Sequence, residues 1–197
     1  MHAAITKWAT THRLTVHEDG TLDPTTADLA VQDSAGTYRY ALTRSWGSGP
    51  TALYVMLNPS TGTATDDDAT LRNCRAIARR HGFGRMVILN LFALRSRDPR
   101  ALHSHPDPIG PAADNALTEL VPLGNTVIAA WGQRHSELHD RAATVTRMLR
   151  KQGAAIQCLG TNRDGTPRHP LYLAAGTPLT SYEPQCAAGA DAHETHR

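Results

Sequence analysis

The chain is poor in most of the residues that announce a specialised fold. Only three of its 197 residues are cysteine, Cys74, Cys158 and Cys186. They are odd in number and too widely spread for a disulfide framework or a close-spaced zinc or iron–sulfur ligand set. Eleven histidines are present, but the nearest pairs, His103 with His105 and His135 with His139, lack a third ligand at recognisable spacing. Neither a metal nor a cofactor is therefore expected. No apolar run approaches the roughly 20 residues that cross a bilayer. The opening stretch MHAAITKWATTHRL holds no apolar segment long enough for a signal peptide, so the expectation is a cytoplasmic protein with no membrane partner, with a monomer favoured. Twelve prolines and fifteen glycines are too few and too scattered for a collagen-like or Pro/Gly-rich disordered chain, and 40% hydrophobic residues are too many for a wholly disordered one. A formal charge of +2 is too small to mark a nucleic-acid binder by itself. P-loop, dinucleotide, G-x-S-x-G and kinase signatures are all missing, which disfavours nucleoside triphosphate and hydride chemistry.

What is present is the pattern of an α/β domain. Residues 1–36 mix Thr, Asp and short apolar runs and read as a loosely structured segment. Tyr38 to Trp46 alternates large and polar residues with period two, which predicts a half-buried edge strand closed by Gly47-Ser48-Gly49-Pro50. Four continuous apolar runs follow: Ala52–Leu57, Met86–Leu89, Thr126–Ala130 and Ala155–Leu159. Runs of this kind suit parallel strands covered on both faces. Leu71–His81 places Leu71, Cys74, Ile77 and Ala78 on one stripe and Arg72, Arg75 and Arg79 on another, the mark of an amphipathic helix. Asn115–Val121 and Glu137–Gln152 supply two more helices, the second ended by Gly153. The order predicts a three-layer α/β/α sandwich around a mainly parallel sheet of about four core strands plus an N-terminal edge strand. Residues 37–182 form one catalytic domain in this reading, and 183–197 a disordered tail. The Pro-rich stretch from Ser96 to Ala113 is expected to be a long loop bordering the ligand crevice.

In an open parallel sheet that crevice lies beyond the carboxyl ends of the strands. Four such ends carry polar groups: Asn58 and Ser60, Asn90 and Arg95, Trp131 and Gln133, and Thr161, Asn162 and His169. The loop from Asn58 through Pro59, Ser60 and Thr61 to Thr70 is the richest. Its Asp66-Asp67-Asp68 triplet precedes a helix, so one carboxylate is an N-cap and others favour the helix terminus; the alternative is that Asp67 or Asp68 orients a water or polarises a sugar hydroxyl. His169, held between turn residues and Pro170, suits proton transfer or electrophilic stabilisation. Arg72, Arg75 and Arg168 either contact phosphate or are solvated. Phe92, Trp131 and Tyr172 either stack on a base or pack on the protein.

The segments VMLNPSTGTATDDDATLRNCRAIARRHGFG, VILNLFALRSRDPRAL, VIAAWG and GTNRDGTPRHPLYL resemble an uncharacterised bacterial family marked by Leu-Asn-Pro-Ser-Thr and Arg-His-Pro-Leu-Tyr. More distantly, Leu57-Asn58-Pro59-Ser60 and His169-Pro170-Leu171 resemble the two signature loops of the uracil-DNA glycosylase superfamily. That resemblance implies a uracil-DNA glycosylase-like fold. It also implies that Asn58 places or activates water at the sugar carbon, that His169 stabilises charge on the departing base, and that Asn90 lies where the base is recognised. The expected function is hydrolysis of the N-glycosidic bond of a damaged or modified base in DNA, in repair or in defence against modified phage DNA. A nucleoside or modified-nucleotide hydrolase and a non-catalytic modified-base binding module are the alternatives.

Overall fold

Continuous burial on both faces makes the four apolar runs the centre of the sheet. In the computed structural model, which describes residues 1–19, 28–60, 62–98, 100–133 and 139–184, they form β4 (Thr51–Met56), β5 (Arg85–Asn90), β6 (Thr126–Ala129) and β7 (Ile156–Cys158). These four pair in parallel in the order β5-β4-β6-β7. Their side chains alternate between two cores. Leu53, Val55, Val87, Leu89, Val127 and Ala129 face one side. Ala52, Tyr54, Met56, Met86, Ile88 and Ile128 face the other.

The predicted helices cover these faces at the predicted spacing. α2 (Ala69–Arg80) lays Leu71, Cys74, Ile77 and Ala78 on the second core. Asp68 caps it by accepting a hydrogen bond from Leu71 N at 2.9 Å. α4 (Ala113–Leu120) and α5 (His139–Lys151) cover the first core through Ala116, Leu117 and Leu120, and through Val145 and Leu149. Residues 134–138, where the sequence starts the last helix, lie outside the described residues, as does the tail from 185 onward.

The fold class is corrected by the sheet's flanks. β3 (Arg39–Ser45) runs antiparallel to β5, and β2 (Leu29–Gln32) and β1 (Thr15–Glu18) extend the sheet beyond it, again antiparallel. At the other end β8 (Thr180–Ser181) pairs antiparallel with β7. The described residues thus form an eight-stranded mixed sheet in the order β1-β2-β3-β5-β4-β6-β7-β8, with four of its seven pairings antiparallel. A mainly parallel sheet of about four core strands with one edge strand is not what the chain builds, and the uracil-DNA glycosylase-like fold expectation falls with it.

Two local corrections follow. The 39–45 strand is interior and buried along nearly its whole length. The segment expected to be loose holds α1 (His2–Thr11), β1 and β2. Ile5, Trp8 and Ala9 of α1, at helical spacing, join the same core as α4 and α5. The 96–113 stretch also contains a one-turn helix, α3 (Ala101–Ser104), and Tyr38 ties it to the sheet by donating a 2.8 Å hydrogen bond to Asp107 O.

Candidate functional site

The carboxyl ends of β4 and β5 stop in register at Met56 and Asn90. Beyond them, on the face covered by α2, a cavity of about 160 Å³ opens. Engineered cavities of about 150 Å³ hold a benzene ring, so the space suits one six-membered ring. Its apolar lining is Met56, Leu57, Leu71 and Ile88. Its polar lining comes from separated parts of the chain: Arg39 on β3; Asn58 and Ser60 after β4; Asp68 and Thr70 at the start of α2; Asn90, Ser96 and Arg97 at and after β5; and His169 after β7.

Each of these groups is positioned by an identifiable contact. Asn58 donates from Nδ2 to Ser96 O at 2.9 Å, Pro59 O at 3.1 Å and Leu94 O at 3.4 Å. A flipped amide would set oxygen against three carbonyl oxygens. The orientation is therefore fixed, and Oδ1 is the atom left for a ligand or a water. His169 accepts at Nδ1 from Leu171 N at 3.3 Å. In the neutral ring the proton is then on Nε2, which makes that atom a donor. The short 3-10 turn Pro170–Tyr172 that fixes this geometry is held by Asn73 of α2, whose Nδ2 donates to Pro170 O at 2.5 Å and to Leu173 O at 2.9 Å. Gly132, after β6, sits at φ +76°, and a Cβ there would meet His169 Cβ at 2.9 Å. Only glycine lets the His169 loop approach so closely.

Asn90 is 7% exposed, and its carboxamide makes no hydrogen bond to the protein among the described residues. Buried amides are normally satisfied. Asp68 spends Oδ1 on the α2 cap and also lines the cavity.

Five of the residues singled out in the sequence, Asn58, Ser60, Asp68, Asn90 and His169, thus meet in one cavity, and Ser96 at the start of the long loop joins them. The others lie elsewhere. Asp67 forms a 2.7 Å ion pair with the buried Arg44 and lies 3.9 Å from Arg75. Arg72 donates to Asp67 O, and Arg75 lies over the Trp46 ring at 5.5 Å. Pro59 is buried just behind Asn58, its carbonyl accepting from Ser96 N at 3.0 Å. Phe92 and Trp131 are buried in the α4/α5 core, Trp131 edge-on to Tyr182. Arg95 turns away to Gln32 and Gly36. Tyr172 and Arg168 are exposed. Thr61 lies outside the described residues. Arg39, Asn73 and Gly132 were not singled out as site residues; the signal for Gly132 was its place directly after a core strand, and Arg39 had none, because it reads as the polar phase of an alternating strand.

Among the described residues no three or more His, Cys, Asp or Glu side chains are grouped so as to hold a metal ion, and no helix is long and apolar enough to cross a membrane. Sheet and cavity together define an α/β protein with a cavity of about 160 Å³ at the carboxyl ends of its parallel strands. The family model for a protein of unknown function, DUF1643, matches residues 39–171, and the chain belongs to that family. The match begins with the interior strand β3 and ends just after His169, so it spans every residue that lines the cavity. No curated protein and no solved structure matches the chain.

Proposed function

We propose that the protein hydrolyses the N-glycosidic bond of a modified or damaged base in DNA. The observation that carries this reading is the convergence of Asn58, Asn90 and His169, from three separate strand ends, on a cavity the size of one ring. Cleavage of such a bond is dissociative, and its barrier falls when preformed dipoles meet the charge that develops on the departing base. The Nε2–H of His169 is a donor suited to that charge. The carbonyl oxygen of Asn58, its amide nitrogen already committed, is an acceptor suited to a water attacking the sugar carbon. The unpartnered Asn90 amide offers a donor and an acceptor side by side, the pair that reads a base edge. A base in duplex DNA reaches such a cavity only by flipping out of the stack, and the exposed Arg97 and Arg168 and the 92% exposed Tyr172 are available to the strand around it.

Incubation with duplexes carrying deaminated, oxidised and hypermodified bases, followed by alkaline cleavage, tests the reading. Abasic product from at least one duplex is expected, and none from any would overturn it. A free nucleoside or nucleotide is the second candidate substrate, favoured by one observation: Arg75 lies over the Trp46 ring and near Asp67 rather than being presented to a phosphate backbone. Binding at low salt separates the two, because phosphate contacts are strongest there. Retention of duplex DNA supports the glycosylase. A melting shift with nucleoside and no DNA retention supports the small-molecule hydrolase.

A further inference from the structure

β3 carries two arginines withdrawn from water, Arg44 at 2% and Arg39 at 3% exposure, and they are treated differently. Arg44 is neutralised. It pairs with Asp67 at 2.7 Å and Asp28 at 3.4 Å, and donates to Thr43 O at 2.7 Å and Thr63 O at 2.6 Å. Arg39 forms no ion pair among the described residues. Nη1 donates to Gly62 O, Nε is buried without a partner, and Nη2 has no hydrogen bond among the described residues. Burial, with Arg95 and Arg44 nearby, lowers its pKa to about 10, and Asp68 opposes that shift. The group is charged at neutral pH all the same. Arginine is almost never fully buried unless paired. Here no ion-pair partner stands among the described residues for a side chain that lines a cavity, and the Asn90 amide of the same lining is likewise without a partner among them.

We infer that Arg39 and Asn90 form a subsite at the inner wall of the cavity for an anionic group of the substrate, a carboxylate or a phosphate. The inference rests on reading the cavity as the substrate site. Exposure orders the polar lining: Arg39 and Asn90 are the buried members, Asn58, Ser60 and His169 are partly exposed, and Arg97 is at the surface. A molecule bound against these two buried groups meets a guanidinium and an amide, which together donate to an oxyanion with charge-assisted hydrogen bonds. Arg39, Arg97 and the amino end of α2 stand against one lining carboxylate, Asp68. A base bearing a carboxylate substituent, or a nucleotide entering phosphate first, would each supply the missing anion.

Calorimetric titration of the full chain with 2′-deoxyuridine, 2′-deoxyuridine 5′-monophosphate and 5-carboxy-2′-deoxyuridine tests this without requiring turnover. At least one anionic probe should bind about tenfold or more tightly than the neutral nucleoside, the margin expected of a charge-assisted contact. Preference for the carboxylate alone identifies a substituent on the base as the source, and preference for the monophosphate alone identifies the nucleotide phosphate. Arg39→Met should reduce the preference to about twofold or less. Arg39→Lys, which keeps the charge and loses the planar fork, should retain an intermediate preference. Equal affinity for all three probes in the wild type, no binding of any at about millimolar concentration, or an undiminished preference in Arg39→Met would overturn the subsite; if Arg39→Met does not fold, the wild-type ratio and Arg39→Lys decide. Base release is scored separately. Anion preference without release from any DNA keeps the subsite and removes the glycosylase reading, and release without anion preference does the reverse.

Discussion

In the proposed reaction His169 and Asn58 would act through atoms selected by their other hydrogen bonds, which makes their replacement specific. His169→Ala and Asn58→Ala should each slow base release by about 10²-fold or more, the usual cost of removing a proton-transfer or charge-stabilising group. His169→Ala should hurt poor leaving groups most, and equal losses across a series of bases would exclude that role. Gly132→Ala tests the packing behind the histidine: the new Cβ, 2.9 Å from His169 Cβ, displaces the ring. A rate loss approaching that of His169→Ala is expected, with a stability cost of about 1 kcal/mol or more from the positive φ. Asp68→Ala removes the α2 cap at about 1 kcal/mol, a melting shift of about 2–4 °C for a chain of this size. The strand ends were legible as the place where polar residues gather, and Asn58, Asn90 and His169 could be read there directly. Phe92, Trp131 and Arg95 could not be placed, because neighbouring residues at a strand end turn to opposite faces, and which face holds the cavity depends on where α2 packs.

The two arginines of β3 give opposite predictions for one element. Arg44→Met leaves Asp67 and Asp28 partly buried without their cation and should destabilise the fold by about 3–5 kcal/mol. Arg39→Met removes a charge with no counterion and should melt no lower than the wild type; a fall of several degrees in a thermal melt would show that Arg39 is structural. Asp28 adds a pH dependence to the Arg44 cluster. Burial raises its carboxyl above the ordinary 3.8, more than the Ser45 amide and Arg44 lower it. The folded chain thus binds this proton more tightly than the unfolded one. The group favours folding below pH 3.8 and loses that contribution as the pH rises through its folded value. Melts of wild type and Asp28→Asn at about pH 4 and pH 7 should show the wild type's relative stability falling toward neutrality. None of this was visible in the alternating pattern of residues 38–46, where an arginine bound for a buried site looks like one bound for solvent.

At the scale of the molecule, the sheet centre was readable and its flanks were not. Parallel strands buried on both faces leave continuous apolar runs, and α2, α4 and α5 leave stripes at helical spacing. β1 and β2 are four residues each, β8 only two, and α1 has no side-chain cap at its start. Segments so short are specified by the edge they join rather than by their own pattern. The N-terminal segment lies outside the family match yet supplies Ile5, Trp8 and Ala9 to the core. Deleting residues 1–12 should therefore expose the α4/α5 face and lower the melting temperature by several degrees in circular dichroism; an unchanged melt would show α1 to be dispensable.

The loops around the cavity are fastened by side chains that donate to main-chain oxygens: Asn58 to Leu94 and Ser96, Asn73 to Pro170 and Leu173, and Arg44 to Thr63. A fastening to a carbonyl is indifferent to the side chain carried by the residue it grips. The gripped loops can therefore exchange their side chains, and with them the molecule they admit, while keeping their places over the sheet. The scaffold is in this sense built to be re-specified. Altered selectivity should be obtainable by randomising Ser96 and Arg97, or Leu171 and Tyr172, with Asn58 and Asn73 left untouched.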